Sequence, residues 1–148
     1  MKVSLRATYG IMAAVDLALH NGQAPVQAKS IARRQAIPAR FLEQVLHAMK
    51  RAGLVTSQRG AQGGYLLSKS PAEVSLAEIL EALDGPLTPV RGGHSQQPHR
   101  LRKQESLLSG VWDQVKHAEL SVLGAVTLEE LAGRHQAIEQ QKSFIYQI

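Results

Sequence analysis

Residues 38–67, PARFLEQVLHAMKRAGLVTSQRGAQGGYLL, constrain the chain more than any other stretch. Phe41, Leu42, Val45, Leu46 and Met49 recur at steps of one, three and four, which is one stripe on a helix. Arg40, Gln44, His47, Lys50 and Arg51 occupy the opposite face. Pro38 suits the first turn of that helix because its φ is fixed, and Gly53 ends it. Two β-type runs follow at once, LVTSQ and YLLSK, separated by RGAQGG. The glycines there permit the positive φ angles that a hairpin turn needs.

Upstream, SLRATYGIMAAVDLALH (4–20) reads as a helix with Ser4 as N-cap. Leu5, Tyr9, Met12, Val15 and Leu19 fall on one face, and the alanines widen it, so a central, largely buried helix is expected. NGQAP (21–25) stops it. AKSIARRQAI, with Ala28, Ile31, Ala32 and Ala36 at helical spacing, makes about two further turns. The resulting order is helix, short helix, turn, amphipathic helix, hairpin. That is the order of a winged helix-turn-helix: a mainly α fold with a small β-hairpin wing.

Ser75 and Glu78 match a reciprocal cap opening a helix over 75–84, with Gly85-Pro86 as its stop. GGHSQQPHRLRK (92–103) holds one apolar residue and reads as an exposed loop. From 104 to 123, Leu108, Val111, Trp112, Val115, Ala118 and Val122 form a long apolar stripe that one small domain can hardly bury alone. A long C-terminal dimerisation helix is therefore expected, with Trp112 in core or dimer packing. Thr127 with Glu130 opens a last helix through Leu128, Leu131 and Ile138, and SFIYQI is expected to dock or fray. The expected division is a DNA-binding unit at 1–91, a loop at 92–103, and dimerisation and C-terminal helices at 104–148.

Charge assigns the two ends different work. Residues 1–70 hold ten Lys/Arg against two acids, a net of +8, and residues 71–148 carry a net of −3. A basic half beside an acidic half points to a polyanion-binding module joined to another. In a helix-turn-helix the second helix enters the DNA major groove with its N-terminal residues leading. Those residues are Pro38, Ala39, Arg40, Glu43 and Gln44. Arg40 can pair with guanine, Gln44 with adenine, and Glu43 can accept from cytosine. Lys29, Arg33, Arg34 and Arg51 are assigned to phosphates, which adds affinity without reading sequence. Arg59 at the hairpin tip is assigned to an adjacent, narrow minor groove, with Gly60, Gly63 and Gly64 removing bulk around it. Asp16, in an otherwise apolar helix, is expected to bond locally or to face a dimer partner.

Several classes are excluded or disfavoured. The chain has no cysteine, so disulfides and thiolate-held metals are impossible. His94 and His99 stand five apart with His117 as a third, but solvated loop histidines are the expectation, and no cofactor is expected. There is no phosphate-cradling loop, paired-histidine metal motif or nucleophile elbow, so no enzyme is expected. No run is long enough to span a bilayer and MKVSLRATYG lacks a secretory apolar stretch, so a cytoplasmic protein without membrane contact is the expectation.

RATYGIMAAVDLA, IARRQAIPARFLEQVLHAMKRAGLVTSQRGAQGGYLLSKSPAEVSLAEILEALDGPL and SVLGAVTLEELA resemble the Rrf-two family of bacterial winged-helix regulators. The likeness covers 1–91 well and 105–133 loosely. It rests on FLEQ, AGLV, RG and GGY in this order and spacing. The family includes an iron–sulfur cluster regulator, a nitric-oxide-sensing repressor and a cysteine-metabolism repressor. The resemblance implies a homodimer on double-stranded DNA, with the recognition helix in the major groove, the wing in the minor groove and a long C-terminal helix at the dimer contact. Carried over by position, the DNA-facing residues are Ser4, Arg6, Pro38, Ala39, Arg40, Gln44, Arg59, Gly60 and Gln62. Many relatives have serine where this chain has Pro38, and arginine where it has Thr8. Cluster-binding members place three cysteines within the stretch GGHSQQPHRLRKQES, which has none here, so a thiolate-held iron–sulfur cluster is excluded. The expected function is a transcriptional repressor on a palindromic operator. The alternative is a protein-interaction module on the same fold that binds DNA only non-specifically.

Overall fold

The computed structural model describes residues 1–87 and 99–147, with the side chains of 99–106 left aside. Among the described residues, six α-helices and one antiparallel hairpin surround one core. The first helix, α1 (Leu5–Leu19), begins at Ser4, whose hydroxyl accepts from the Ala7 amide. It is central and its inward face is lined by small residues. Ala7, Gly10, Ala13, Ala14, Val15, Asp16 and Leu17 are buried, whereas Leu5 is 60% exposed and Met12 37%. This corrects the expected face in part: of the five-residue stripe Val15 is buried and Tyr9 and Leu19 pack half-buried on the core, while Leu5 and Met12 face outward. The reason is packing distance. Small side chains let α1 approach its neighbours closely, and a Cβ at Gly10 would overlap Leu83 on a facing helix.

Helix α2 (Ala28–Gln35) is followed by Ala36 in the left-handed conformation, φ 52° and ψ 43°. The chain turns there and buries Ile37 before α3 (Ala39–Arg51) starts. Pro38 is the N-cap of α3 and not its first helical residue, with φ −57° and ψ 133°. Its ring suits the extended cap as well as it would a first turn, but it supplies no capping hydrogen bond. Leu42, Val45, Leu46 and Met49 are buried, as their spacing requires, and Phe41 is half-buried. Gly53, at φ 79°, ends the helix.

Strands β1 (Val55–Gln58) and β2 (Gly64–Leu67) pair antiparallel, Val55 opposite Leu67 and Gln58 opposite Gly64. Val26, just before α2, extends the hairpin. It exchanges two backbone hydrogen bonds with Tyr65, of 3.0 and 2.8 Å. A 3₁₀ turn, Pro71–Glu73, precedes α4 (Leu76–Asp84), whose start carries both halves of the Ser75/Glu78 capping box.

Helix α5 spans His99–Ala125, so regular structure begins five residues ahead of the expected 104. The rest of the expected 92–103 loop, with His94, lies outside the described residues. Thr127 caps α6 (Leu128–Tyr146) by accepting from the Glu130 amide, while the Glu130 carboxylate pairs with Arg134. Leu128 is fully buried, and hydrogen bonds from Leu76 to Val126 and from Leu128 to Val74 tie this turn to the start of α4. Within the single chain the described residues of SFIYQI do not pack on the core. The helix continues through Tyr146, with Phe144, Ile145 and Tyr146 exposed. Among the described residues no helix is long and apolar enough to cross a membrane.

Ala36 supplies a direct test of the α2–α3 turn. An L-residue in the left-handed region carries a cost of about 1–2 kcal/mol that glycine avoids, against the larger unfolded-state entropy of glycine. Ala36 is exposed and makes no core contact that the change would lose. Ala36→Gly is therefore expected to stabilise the fold by roughly 0.5 kcal/mol, read as a small rise in melting temperature by circular dichroism.

Candidate nucleic-acid interface

Three elements gather most of the DNA-facing residues expected from sequence. On α3, Ala39, Arg40, Glu43, Gln44, His47, Lys50 and Arg51 are exposed on the face opposite the buried stripe. Pro38 is exposed at its head. The Arg40 guanidinium stands 5.6 Å from the centre of the Phe41 ring, which itself lies 5.8 Å from the ring of Tyr9. An arginine resting on an aromatic face loses freedom before it meets a ligand. On α2, Lys29 and Arg33 are exposed one turn apart. Among the described residues no hydrogen bond or ion pair occupies Lys29, Arg33, Glu43, Gln44, Arg51 or Arg59.

The wing tip carries Arg59, Gly60 and Gln62, all exposed. Its backbone closes with a hydrogen bond of 3.0 Å from the Gly63 amide to the Gly60 carbonyl. The hairpin is braced beyond its own ladder. Lys50 Nζ of α3 donates to Ser57 Oγ at 2.6 Å, and the Val26–Tyr65 pair holds it against the approach to α2. Arg59 thus sits on backbone that is glycine-rich yet held in place.

The three glycines do different jobs. Gly60 has φ 108° and open space around it, as expected for a slim tip. Gly63 and Gly64 are needed inside the protein. A Cβ on Gly63 would overlap the Gln58 carbonyl, and one on Gly64, at φ 151°, would stand 2.5 Å from the Val26 carbonyl oxygen. Slimness toward a ligand explains one glycine of the three.

Ser4 and Arg6 stand apart, at the start of α1. Arg6 is exposed. The Ser4 hydroxyl donates to Asp84 at 2.7 Å while capping α1, so a phosphate there would have to displace Asp84.

Arg34 and Asp16 depart most from expectation. Asp16 is fully buried, and beyond the local contact with His20 its closest partners come from another helix. Arg34 Nε and Nη2 donate to its two oxygens at 3.0 and 2.8 Å, and Gln35 Nε2 donates at 3.0 Å. His20 Nδ1 lies 3.6 Å from Oδ1. Burial alone would raise the Asp16 carboxyl. The hydrogen bonds from Arg34 and Gln35, with the charges of Arg34 and His20, outweigh it and hold the carboxyl below its ordinary value. The same bond raises Arg34. The signal in the sequence is the lone acid in an apolar helix, which must find a partner, but its partner lies 18 residues away.

The α5 stripe is bare in the single chain. Leu108, Val111, Trp112, Val115 and Val122 are 43 to 63% exposed, so Trp112 is not core. Among the described residues no group of three or more His, Asp or Glu side chains is placed to hold a metal ion. His117 Nδ1 instead contacts the Asp113 carbonyl at 2.8 Å.

Comparison with known proteins agrees with this architecture. The profile of the Rrf2 family, described as an iron-dependent transcriptional regulator, matches residues 3–134. The HTH-type transcriptional regulator CymR of Bacillus subtilis is 33% identical over 148 residues, the full length of both chains. The HTH-type transcriptional regulator IscR of Xenorhabdus nematophila is 30% identical over 147 residues, covering 94% of this chain and 84% of that one. The structure of CymR, the global cysteine regulator of B. subtilis, superposes with a TM-score of 0.74 at 34% identity, over 90% of this chain and 98% of that one. That of T. potens IscR does so with a TM-score of 0.71 at 35% identity, over 91% and 88%. A thiolate-held iron centre does not fit this chain, which has no cysteine.

Proposed function

Because the chain belongs to the Rrf2 family of DNA-binding transcriptional regulators, we propose that it is a repressor that grips a palindromic operator as a homodimer. Helix α3 lies in the major groove, with Arg40, Glu43 and Gln44 against base edges. The wing lies in the neighbouring minor groove, with Arg59 inserted and Gly60 and Gln62 beside it. Lys29, Arg33 and Arg51 face phosphates, as do Arg6 at the margin and Ser4 once Asp84 is displaced from its hydroxyl. Residues 1–91 form the DNA-binding unit, and the helices from 104 onward carry the dimer seam, with half-sites about 34 Å apart. One observation carries this reading: the bare polar face of α3 and the braced, arginine-tipped hairpin flank one another, coupled by the Lys50–Ser57 bond.

The test is competition between the promoter of the chain's own gene and random duplex at physiological salt. A preference of about 10³ or more is expected for specific recognition. Equal binding would leave the protein-interaction alternative standing. Within the same assay, Arg59→Ala should weaken promoter binding and relax preference at A/T-rich minor-groove positions. Lys29→Ala should lower affinity evenly over all sequences and reduce the salt slope by about one unit. Identical profiles for the two variants would show the wing to be electrostatic only. Deleting the gene should raise transcripts from the bound promoters.

A further inference from the structure

Arg34 stands on the cationic side of α2, one position after Arg33, yet its guanidinium is turned inward onto Asp16 by two parallel hydrogen bonds. Gln35 adds a third bond to the same carboxylate. These are the last two residues of α2. Ala36 then reverses the chain, Ile37 plugs the core and α3 begins. Helix α3 packs directly on α1 through its buried stripe, and the α2–α3 turn that sets where α3 begins is held at two further points, an apolar plug and a charged fork.

We infer that Asp16 and Arg34 are a positioning pair that aims α3 at the DNA, so that Arg34 governs sequence discrimination without touching the duplex. The inference rests on α3 being the reading helix. The lever is short: Ala39 and Arg40 lie five and six residues beyond Arg34. A bidentate arginine–carboxylate pair resists rotation in the plane of the fork as well as separation, which a point charge cannot do. Ile31 and Ile37 anchor α2 and the turn in the core, but apolar contact is non-directional and resists a small roll about the helix axis less than a bidentate pair does. The roll would carry Arg40 and Gln44 out of register with base edges while leaving the phosphate-facing cations in reach of a backbone that is everywhere alike.

The experiment uses full-length protein with two probes, the promoter duplex of its own gene and a random duplex of equal length, at several salt concentrations well below each variant's melting transition. Arg34→Lys keeps the charge and loses the fork. Promoter affinity is expected to fall about tenfold, the worth of one misaligned bidentate base contact. Random-duplex affinity and the salt slope should not change. Asp16→Asn should do the same, and combining the two should add little, because they act as one unit. A structural role alone would lower the melting temperature and leave the promoter-to-random ratio of the folded protein intact, and that outcome overturns the inference. So does a salt slope about one unit lower in Arg34→Gln, which would make Arg34 a phosphate contact. If the unsubstituted protein shows no promoter preference, the helix-in-groove reading has failed first, and the pair's role falls with it.

Discussion

Val115→Glu should turn the protein into a monomer and lower promoter affinity about 10³-fold, toward the level of non-specific binding. Val115 sits mid-way along the α5 stripe, between Leu108 and Val122, and is 43% exposed in the single chain. The stripe also carries Trp112 at 58% exposure. A continuous apolar face on a 27-residue helix is poorly tolerated by a monomer in water. In a two-fold assembly one substitution appears twice, so two carboxylates would enter one apolar seam. Each buried charge without a partner costs several kcal/mol. The intrachain fold should survive, because among the described residues α5 joins the core near its end, through Leu123. Sedimentation at micromolar concentration reads the mass, anisotropy reads the promoter affinity, and far-UV circular dichroism checks that helix content holds. A dimeric Val115→Glu protein with full affinity would place the seam elsewhere.

The α5 stripe is legible in the amino-acid sequence because it repeats within one helix, and so are the α3 stripe and the Ser75/Glu78 box. Each is a local rule in which partners lie three or four residues apart. The inward face of α1 is not legible in the same way. Large side chains at helical spacing suggest one face, and the fold buries Ala7, Gly10, Ala13 and Ala14 instead. What decides between them is the distance to helices that come later in the chain, and side-chain size alone does not reveal it. Asp16 and Arg34 mislead for a related reason. Each has an obvious local reading, and only the fold brings them to 2.8 Å. The charge imbalance groups Arg34 with the cations assigned to phosphates, since a net charge counts residues without regard to where they point. The candidate interface is legible as a set of elements: Arg40, Gln44 and Arg59 are exposed on helix and wing as their patterns require. The bracing that makes those elements one surface, Lys50 to Ser57 and Val26 to Tyr65, has no local signature.

The wing glycines give the other large expected effect. Gly64→Ala should destabilise the protein by about 2–4 kcal/mol and detach the wing, whereas Gly60→Ala should cost about 1 kcal/mol. Both positions have positive φ, 151° and 108°, so backbone strain is common to the two. They differ in surroundings. At Gly60 an added methyl meets nothing within 4 Å, and at Gly64 it meets the Val26 carbonyl oxygen at 2.5 Å. That neighbour is backbone and cannot swing aside like a side chain. Relief would require separating Val26 from Tyr65 and losing their two hydrogen bonds, each contributing about 1 kcal/mol. Urea unfolding gives the stabilities, and exchange of the Tyr65 amide, which donates to Val26, reports the detachment. The DNA readouts then separate the two uses of glycine. Gly60→Ala retains a bound wing, so any loss of promoter affinity in that variant reflects bulk at the tip. In Gly64→Ala the same loss would accompany rapid Tyr65 exchange, because the hairpin that carries Arg59 is no longer held against Val26. A slow Tyr65 amide in Gly64→Ala, at near-normal stability, would mean that α2 yields at Val26 and that the hairpin is braced chiefly from α3, through Lys50 and Ser57.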